Sequence, residues 1–86
     1  MSETPENRIK RLKMRSMRRG IKEMDLILSA FANERLDGMS EAEILTYDAL
    51  LAENDHDLYQ WVTGQFEAPS EFSALISDIS DHADTK

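Results

Sequence analysis

Apolar residues recur at three- and four-residue spacing through most of the chain, and no alternating run of useful length occurs. That period is helical, so the pattern predicts an all-α protein. A first helix is expected from about Asn7 to Arg18, capped by Asn7 or Thr4. Its apolar stripe is Ile9, Leu12, Met17 and Ile21, with Met14 nearby. Lys and Arg flank the stripe, and their aliphatic stems can cover apolar surface while the charges stay wet. Gly20 fits the C′ position, where a left-handed residue ends a helix at little cost. A second helix should follow to about Leu36, with Met24, Ile27, Leu28, Phe31 and Arg35 on one face and Leu26 and Ala30 alongside. Glu23 and Asp25 fall in its first turn, the sign that the helix dipole prefers.

Asp37-Gly38 signals a turn. Ser40-Glu41-Ala42-Glu43 has the form of a capping box and opens a third helix to about Glu53, burying Ile44, Tyr47, Leu50 and Leu51. Asn54-Asp55 makes the next turn, with Asp55 placed to cap a short fourth helix from about His56 to Thr63 that Gly64 closes. Pro69-Ser70 starts a fifth helix, in which Phe72, Leu75, Ile76 and Ile79 recur on one side. The expected architecture is a small bundle of five short helices. It forms one domain over residues 1–86, with a folded core at about 8–80 and flexible ends at 1–6 and 81–86.

Composition narrows what such a bundle can do. At 86 residues the chain buries only about 60–65% of the surface its unfolded form exposes, too little for a deep two-domain cleft. There is no cysteine, which excludes disulfides and cysteine-based metal sites. The apolar run Leu26-Ile27-Leu28 is far short of the ~20 residues a membrane span needs. Glu3, Pro5 and Glu6 interrupt the basic N-terminus and no apolar segment follows, so neither a signal nor a transit peptide is expected and the expected location is cytoplasmic. No Ser/His/Asp arrangement and no glycine-rich phosphate loop occurs, and an enzyme is not expected. Metal binding by His56 with Asp55 and Asp57 has a simpler alternative, since polar residues at a helix start usually cap it.

Charge divides the chain in two. Eight of the ten Lys/Arg residues lie in 8–22, whereas Glu23 to Thr85 holds fifteen acids and one base, Arg35. The net charge of −7 argues against general nucleic-acid binding, which depends on cations neutralising phosphates. Three readings of the basic stretch remain open: intramolecular attraction to the acidic body, a protein partner, or RNA or an anionic membrane. Arg19-Gly20-x-x-Glu23 sits at the boundary and reads either as a helix stop with a surface charge pair or as a docking element. In Leu58-Tyr59-Gln60-Trp61-Val62 the two rings point to different helix faces, Trp61 toward the core and Tyr59 more open.

The order of these features resembles the SdhE family, the flavinators also called succinate dehydrogenase assembly factor 2 in mitochondria. The resemblance covers about Arg8 to Gln65. The family's RGxxE motif falls on Arg19, Gly20 and Glu23, with its following Asp on Asp25, and the Asp-Leu-aromatic-x-Trp element falls on Asp57, Leu58, Tyr59 and Trp61. Met24 stands where a leucine is common and His56 where a proline is common. The resemblance implies an assembly factor that binds the flavoprotein subunit of succinate dehydrogenase, and in some bacteria of fumarate reductase, and promotes covalent FAD attachment there. FAD would be the partner's cofactor, not held tightly by this chain, which is expected to act as a monomer. The partner-binding residues it implies are Arg18, Arg19, Gly20, Glu23, Asp25, Asp57 and Tyr59. Gly20 would let backbone approach the partner, Arg19 would contact it, and Glu23 would hold Arg19 or a partner cation.

Overall fold

The computed structural model describes residues 4–17 and 19–84, the Asp84 side chain excepted. Five α-helices follow one another: α1 (Pro5–Arg15), α2 (Lys22–Arg35), α3 (Glu41–Leu51), α4 (Asp55–Val62) and α5 (Ser70–Asp84), with a 3-10 turn at Leu36–Gly38. No strand occurs among the described residues, so the all-α expectation holds. No helix among them is long and apolar enough to cross a membrane. The helices reach Pro5 and Asp84, beyond the expected 8–80 core, while residues 1–3, 85 and 86 lie outside the described residues.

Local chemistry sets most of the boundaries. Thr4, not Asn7, caps α1, its hydroxyl accepting from the Asn7 amide at 3.1 Å with Pro5 at the first helical position. The capping box of α3 forms as expected: the Glu43 amide donates to Ser40 Oγ at 3.2 Å and the Ser40 amide to Glu43 Oε1 at 2.9 Å. Gly64 follows α4 with φ of 81°, the left-handed geometry that favours glycine. The cap of α4 differs from expectation, since Asn54 accepts the His56 amide at 2.8 Å and Asp55 is already inside the helix.

The end of α1 also differs. Among the described residues only Gly64 has a positive φ among the glycines, so Gly20 is no left-handed terminator. The helix ends at Arg15 with Ser16 as its C-cap, a serine buried completely. Ser16 Oγ donates to the Leu12 carbonyl at 2.8 Å and lies 2.6 Å from the Tyr47 hydroxyl, while Ser29 Oγ donates to the Ser16 carbonyl at 3.2 Å. Polar groups buried this deeply stay only where they are satisfied, and here they pin the end of α1 to α2 and α3.

The core gathers Leu12 from α1, Met24, Leu28 and Phe31 from α2, the four expected residues of α3, Leu58 and Val62 from α4, and the expected four of α5. Phe31 lies at its centre, 5.8 Å from the Tyr47 ring and 5.7 Å from the His82 ring, which meets it edge-on. His82 is therefore part of α5, with its Nε2 at 2.6 Å from Glu34 Oε2. Met14, Met17 and Leu26, placed on or beside apolar stripes by their spacing, are exposed. The short α1 presents one narrow face to its neighbours, and Met14 and Met17 fall outside it.

Candidate partner-docking site

The segment between Ser16 and α2 brings Arg19 and Gly20 to the α3–α4 corner, and Lys22 and Glu23 open α2 just beyond. Because Asn54 caps α4, the Asp55 carboxylate is released from capping and turns back toward this link. Its Oδ2 accepts the Gly20 amide at 2.6 Å, and its Oδ1 accepts Arg19 Nε at 2.8 Å and pairs with Arg19 Nη2 at 2.7 Å. Arg19 Nη1 also donates to the carbonyl of Arg15, the last residue of α1, at 3.0 Å, and Nη2 reaches the Glu53 carbonyl at 3.5 Å. A cation bonded to a terminal carbonyl is also where the helix dipole favours it. Charge-assisted bonds of this kind are stronger than neutral ones, and the Arg19 and Asp55 side chains are only 11% and 19% exposed.

This geometry explains the glycine without invoking a special φ. A Cβ at Gly20 would lie 3.0 Å from Asp55 Oδ2, so the close approach of a carboxylate to the backbone is what the missing side chain permits. Gly20 in the link and Lys22 and Glu23 in the first turn of α2 are exposed. Glu23 makes no hydrogen bond or ion pair among the described residues; Asp55, not Glu23, holds Arg19. Asp25, one turn into α2, is half-buried and accepts from Ser29 Oγ at 3.1 Å. Arg18 lies outside the described residues.

The second expected element is split. Asp57 is exposed in the first turn of α4, while Tyr59 is half-buried against the core rather than open. Trp61 is also half-buried, 6.2 Å from Phe72. Residue spacing alone points neither to Asp55 as a strut nor to Ser16 as an anchor. A weak signal for the first exists in Asn54-Asp55, where two residues able to cap stand in succession and only one is needed.

The basic stretch is largely consumed within the molecule. Arg8 forms a two-pronged pair with Glu41 at 2.6 and 2.7 Å, Arg11 and Arg15 both hold Asp48 at 3.1 and 2.6 Å, and Lys13 meets Asp37 at 3.7 Å. With Arg19 on Asp55, five of the seven described cations of 8–22 pair with acids of the later chain. The Arg11 guanidinium, helped by Arg15, holds the Asp48 carboxyl below the usual carboxylate range against the opposing effect of burial. Among the described residues no three His, Asp or Glu side chains come together in a way that could hold a metal ion. An open groove of about 880 Å³ runs between residues 61–68 and α5, past Trp61, Phe66, Ser73 and Ser77. Its ionisable lining groups among the described residues are Glu67 and Asp81.

Comparison with known proteins identifies a family. A family model described as flavinator of succinate dehydrogenase matches residues 10–83. The curated protein named succinate dehydrogenase assembly factor 2, mitochondrial, from Meyerozyma guilliermondii is 45% identical over 65 residues, 76% of this chain and 48% of its own length. The protein of the same name from Schizosaccharomyces pombe is 40% identical over 80 residues, 91% of this chain and 58% of its own. That from Candida glabrata is 36% identical over 94 residues, 100% of this chain and 61% of its own. The chain thus spans about half to three-fifths of the length of these relatives. Its match to the family model includes the Arg19–Glu23 link, α4 and nearly all of α5, and the chain belongs to the family of flavinators of succinate dehydrogenase.

Proposed function

We propose that this chain docks on the flavoprotein subunit of succinate dehydrogenase and promotes covalent attachment of FAD to that subunit, acting as an assembly factor and not as an enzyme. The observation that carries the reading is the Gly20–Glu23 surface. It is a solvent-facing link, held from behind by a nearly buried ion pair, within the region matched by the flavinator family. The names of the curated relatives support the same client. FAD and its reactive carbon stay with the partner, and what this chain supplies is a rigid surface that fixes geometry there. Glu23, exposed and uncommitted among the described residues, faces the partner and takes a cation from it. Asp57 and Tyr59 flank the contact from α4, with Arg18 and Asp25 beside it.

The basic-helix alternative for RNA or anionic membrane loses ground, since α1 has directed most of its cations inward. A cytoplasmic location and a monomeric state belong to the same proposal. Cell fractionation and sedimentation test them, and recovery in mitochondria, the compartment in the relatives' names, would overturn the first.

The test mixes purified flavoprotein subunit lacking covalent flavin with FAD, with and without this chain, and reads covalent flavin by in-gel fluorescence. Wild type is expected to raise the signal. Removing one partner of a desolvated charge pair costs about 2 kcal/mol or more, so Glu23→Ala should weaken the complex about thirtyfold or more. An unchanged flavin signal with the wild-type chain sinks the reading.

A further inference from the structure

Arg19 opens the motif, yet it has little left to offer a partner. Its Nε, Nη1 and Nη2 all have acceptors within the fold, and its side chain is 11% exposed. Pulling it out would strand Asp55, itself mostly buried, without its countercharge. Among the described residues the Asp55 carboxylate is the one group that touches both Arg19 and the Gly20 amide, from 36 and 35 residues away along the chain. Asp55 lies outside the RGxxE motif and outside the Asp57–Trp61 element.

We propose that Asp55 is the positioning residue of the docking link: it holds the Gly20 amide and the Arg19 guanidinium together, and so sets the path on which Gly20 and Glu23 meet the partner. Arg19 is then an internal strut acting through Asp55 and not a partner contact. The functional unit extends from a five-residue motif to a pair of chain segments, Arg19–Glu23 and Asn54–Asp55. Asn54 has a share in it, because by capping α4 it leaves the neighbouring carboxylate free to reach across. This inference rests on the docking role proposed above for its binding readout, while its structural readout is independent.

The structural readout is the Gly20 amide resonance of the full chain. A short bond to a carboxylate should move that proton downfield and slow its exchange. In Asp55→Ala both signatures should vanish while helical circular dichroism is kept, and Asp55→Asn, which retains a carbonyl acceptor, should restore part of them. A Gly20 resonance that does not change in Asp55→Ala overturns the proposal. The binding readout is affinity for the flavoprotein subunit lacking covalent flavin. Asp55→Ala should bind at least tenfold more weakly, Asp55→Asn should recover part of the loss, and Arg19→Ala combined with Asp55→Ala should be no worse than Asp55→Ala alone. Losses that multiply in the double variant would make Arg19 a direct contact and refute the strut. If Glu23→Ala weakens binding and Asp55→Ala does not, the docking role survives and the positioning role fails. If wild type does not bind the subunit, the docking role fails, and the Gly20 resonance still decides whether Asp55 sets the link.

Discussion

Replacing Gly20 separates what the link needs for folding from what it needs for contact. In Gly20→Ala the new methyl carbon would sit 3.0 Å from Asp55 Oδ2, where ordinary contact begins at 3.4 Å. The carboxylate must retreat by about 0.4 Å. The hydrogen bond it would stretch, from the Gly20 amide to Asp55 Oδ2, spans 2.6 Å from N to O, so even full transfer of that displacement leaves about 3.0 Å, inside the normal range. The cost is part of one charge-assisted bond, about 0.5–1 kcal/mol. No left-handed strain is added, because the φ of Gly20 is not positive. Losing a glycine also restricts the unfolded chain, which returns about 0.4–1 kcal/mol. The two nearly cancel, and Gly20→Ala should unfold within about 1 kcal/mol of wild type in a urea titration followed at 222 nm, with an unchanged m-value. Gly20→Arg should keep the same helical signal but project a long cation from the surface that meets the partner, and so lose covalent flavin on the client. A loss above ~2 kcal/mol in Gly20→Ala would mean that the carboxylate cannot give way, and the reasoning from the 2.6 Å bond would be wrong.

Tyr47 and Asp48 give two pH signatures of opposite sign. Burial pushes the Tyr47 hydroxyl up to about 12 from 10, so the stability it contributes is complete below pH 10 and drains away as pH rises toward 12, by roughly 2 kcal/mol. Tyr47→Phe should remove that alkaline loss while costing about 1–3 kcal/mol at neutral pH, because Ser16 Oγ keeps the Leu12 carbonyl but loses the Tyr47 hydroxyl; equal alkaline profiles for the two proteins would refute the assignment. The Asp48 pKa is lowered in the fold from 3.8, so its contribution is present above that value and fades as pH falls through the folded pKa. The pair is partly exposed, and screening holds Asp48→Asn to about 0.5–1 kcal/mol at pH 7, a difference that thermal unfolding should show closing at strongly acid pH.

Helices were legible because local signals write them. Thr4-Pro5, the Ser40–Glu43 box and Gly64 each fix a boundary through their own neighbours, and the buried sets of α3 and α5 follow from spacing alone. Resemblance singles out Arg19, Gly20 and Glu23, and the structure places the first two on Asp55 and the third, exposed, in the first turn of α2. What spacing could not show is which carboxylate Arg19 would meet, because fifteen acids follow it in the chain and the choice is made by how α4 packs on α2. The false terminator at Gly20 has a related cause: a glycine before a new helix looks the same whether it supplies a left-handed φ or admits a carboxylate. Met14, Met17 and Leu26 were placed on or beside apolar stripes by a period that cannot say how wide a face the neighbours cover.

Arg19 touches the end of α1 through the Arg15 carbonyl, and the α3–α4 corner through Glu53 and Asp55. Two connections far apart in sequence are thereby fastened at one point. Opening either one should release the other, so the corner is expected to fluctuate as a single cooperative unit of local unfolding rather than as two independent loops. A partner that grips only the closed form would raise the protection of both segments together, in proportion to its own concentration and affinity. The amides of 19–21 and of 54–56 should therefore share one opening free energy in hydrogen exchange.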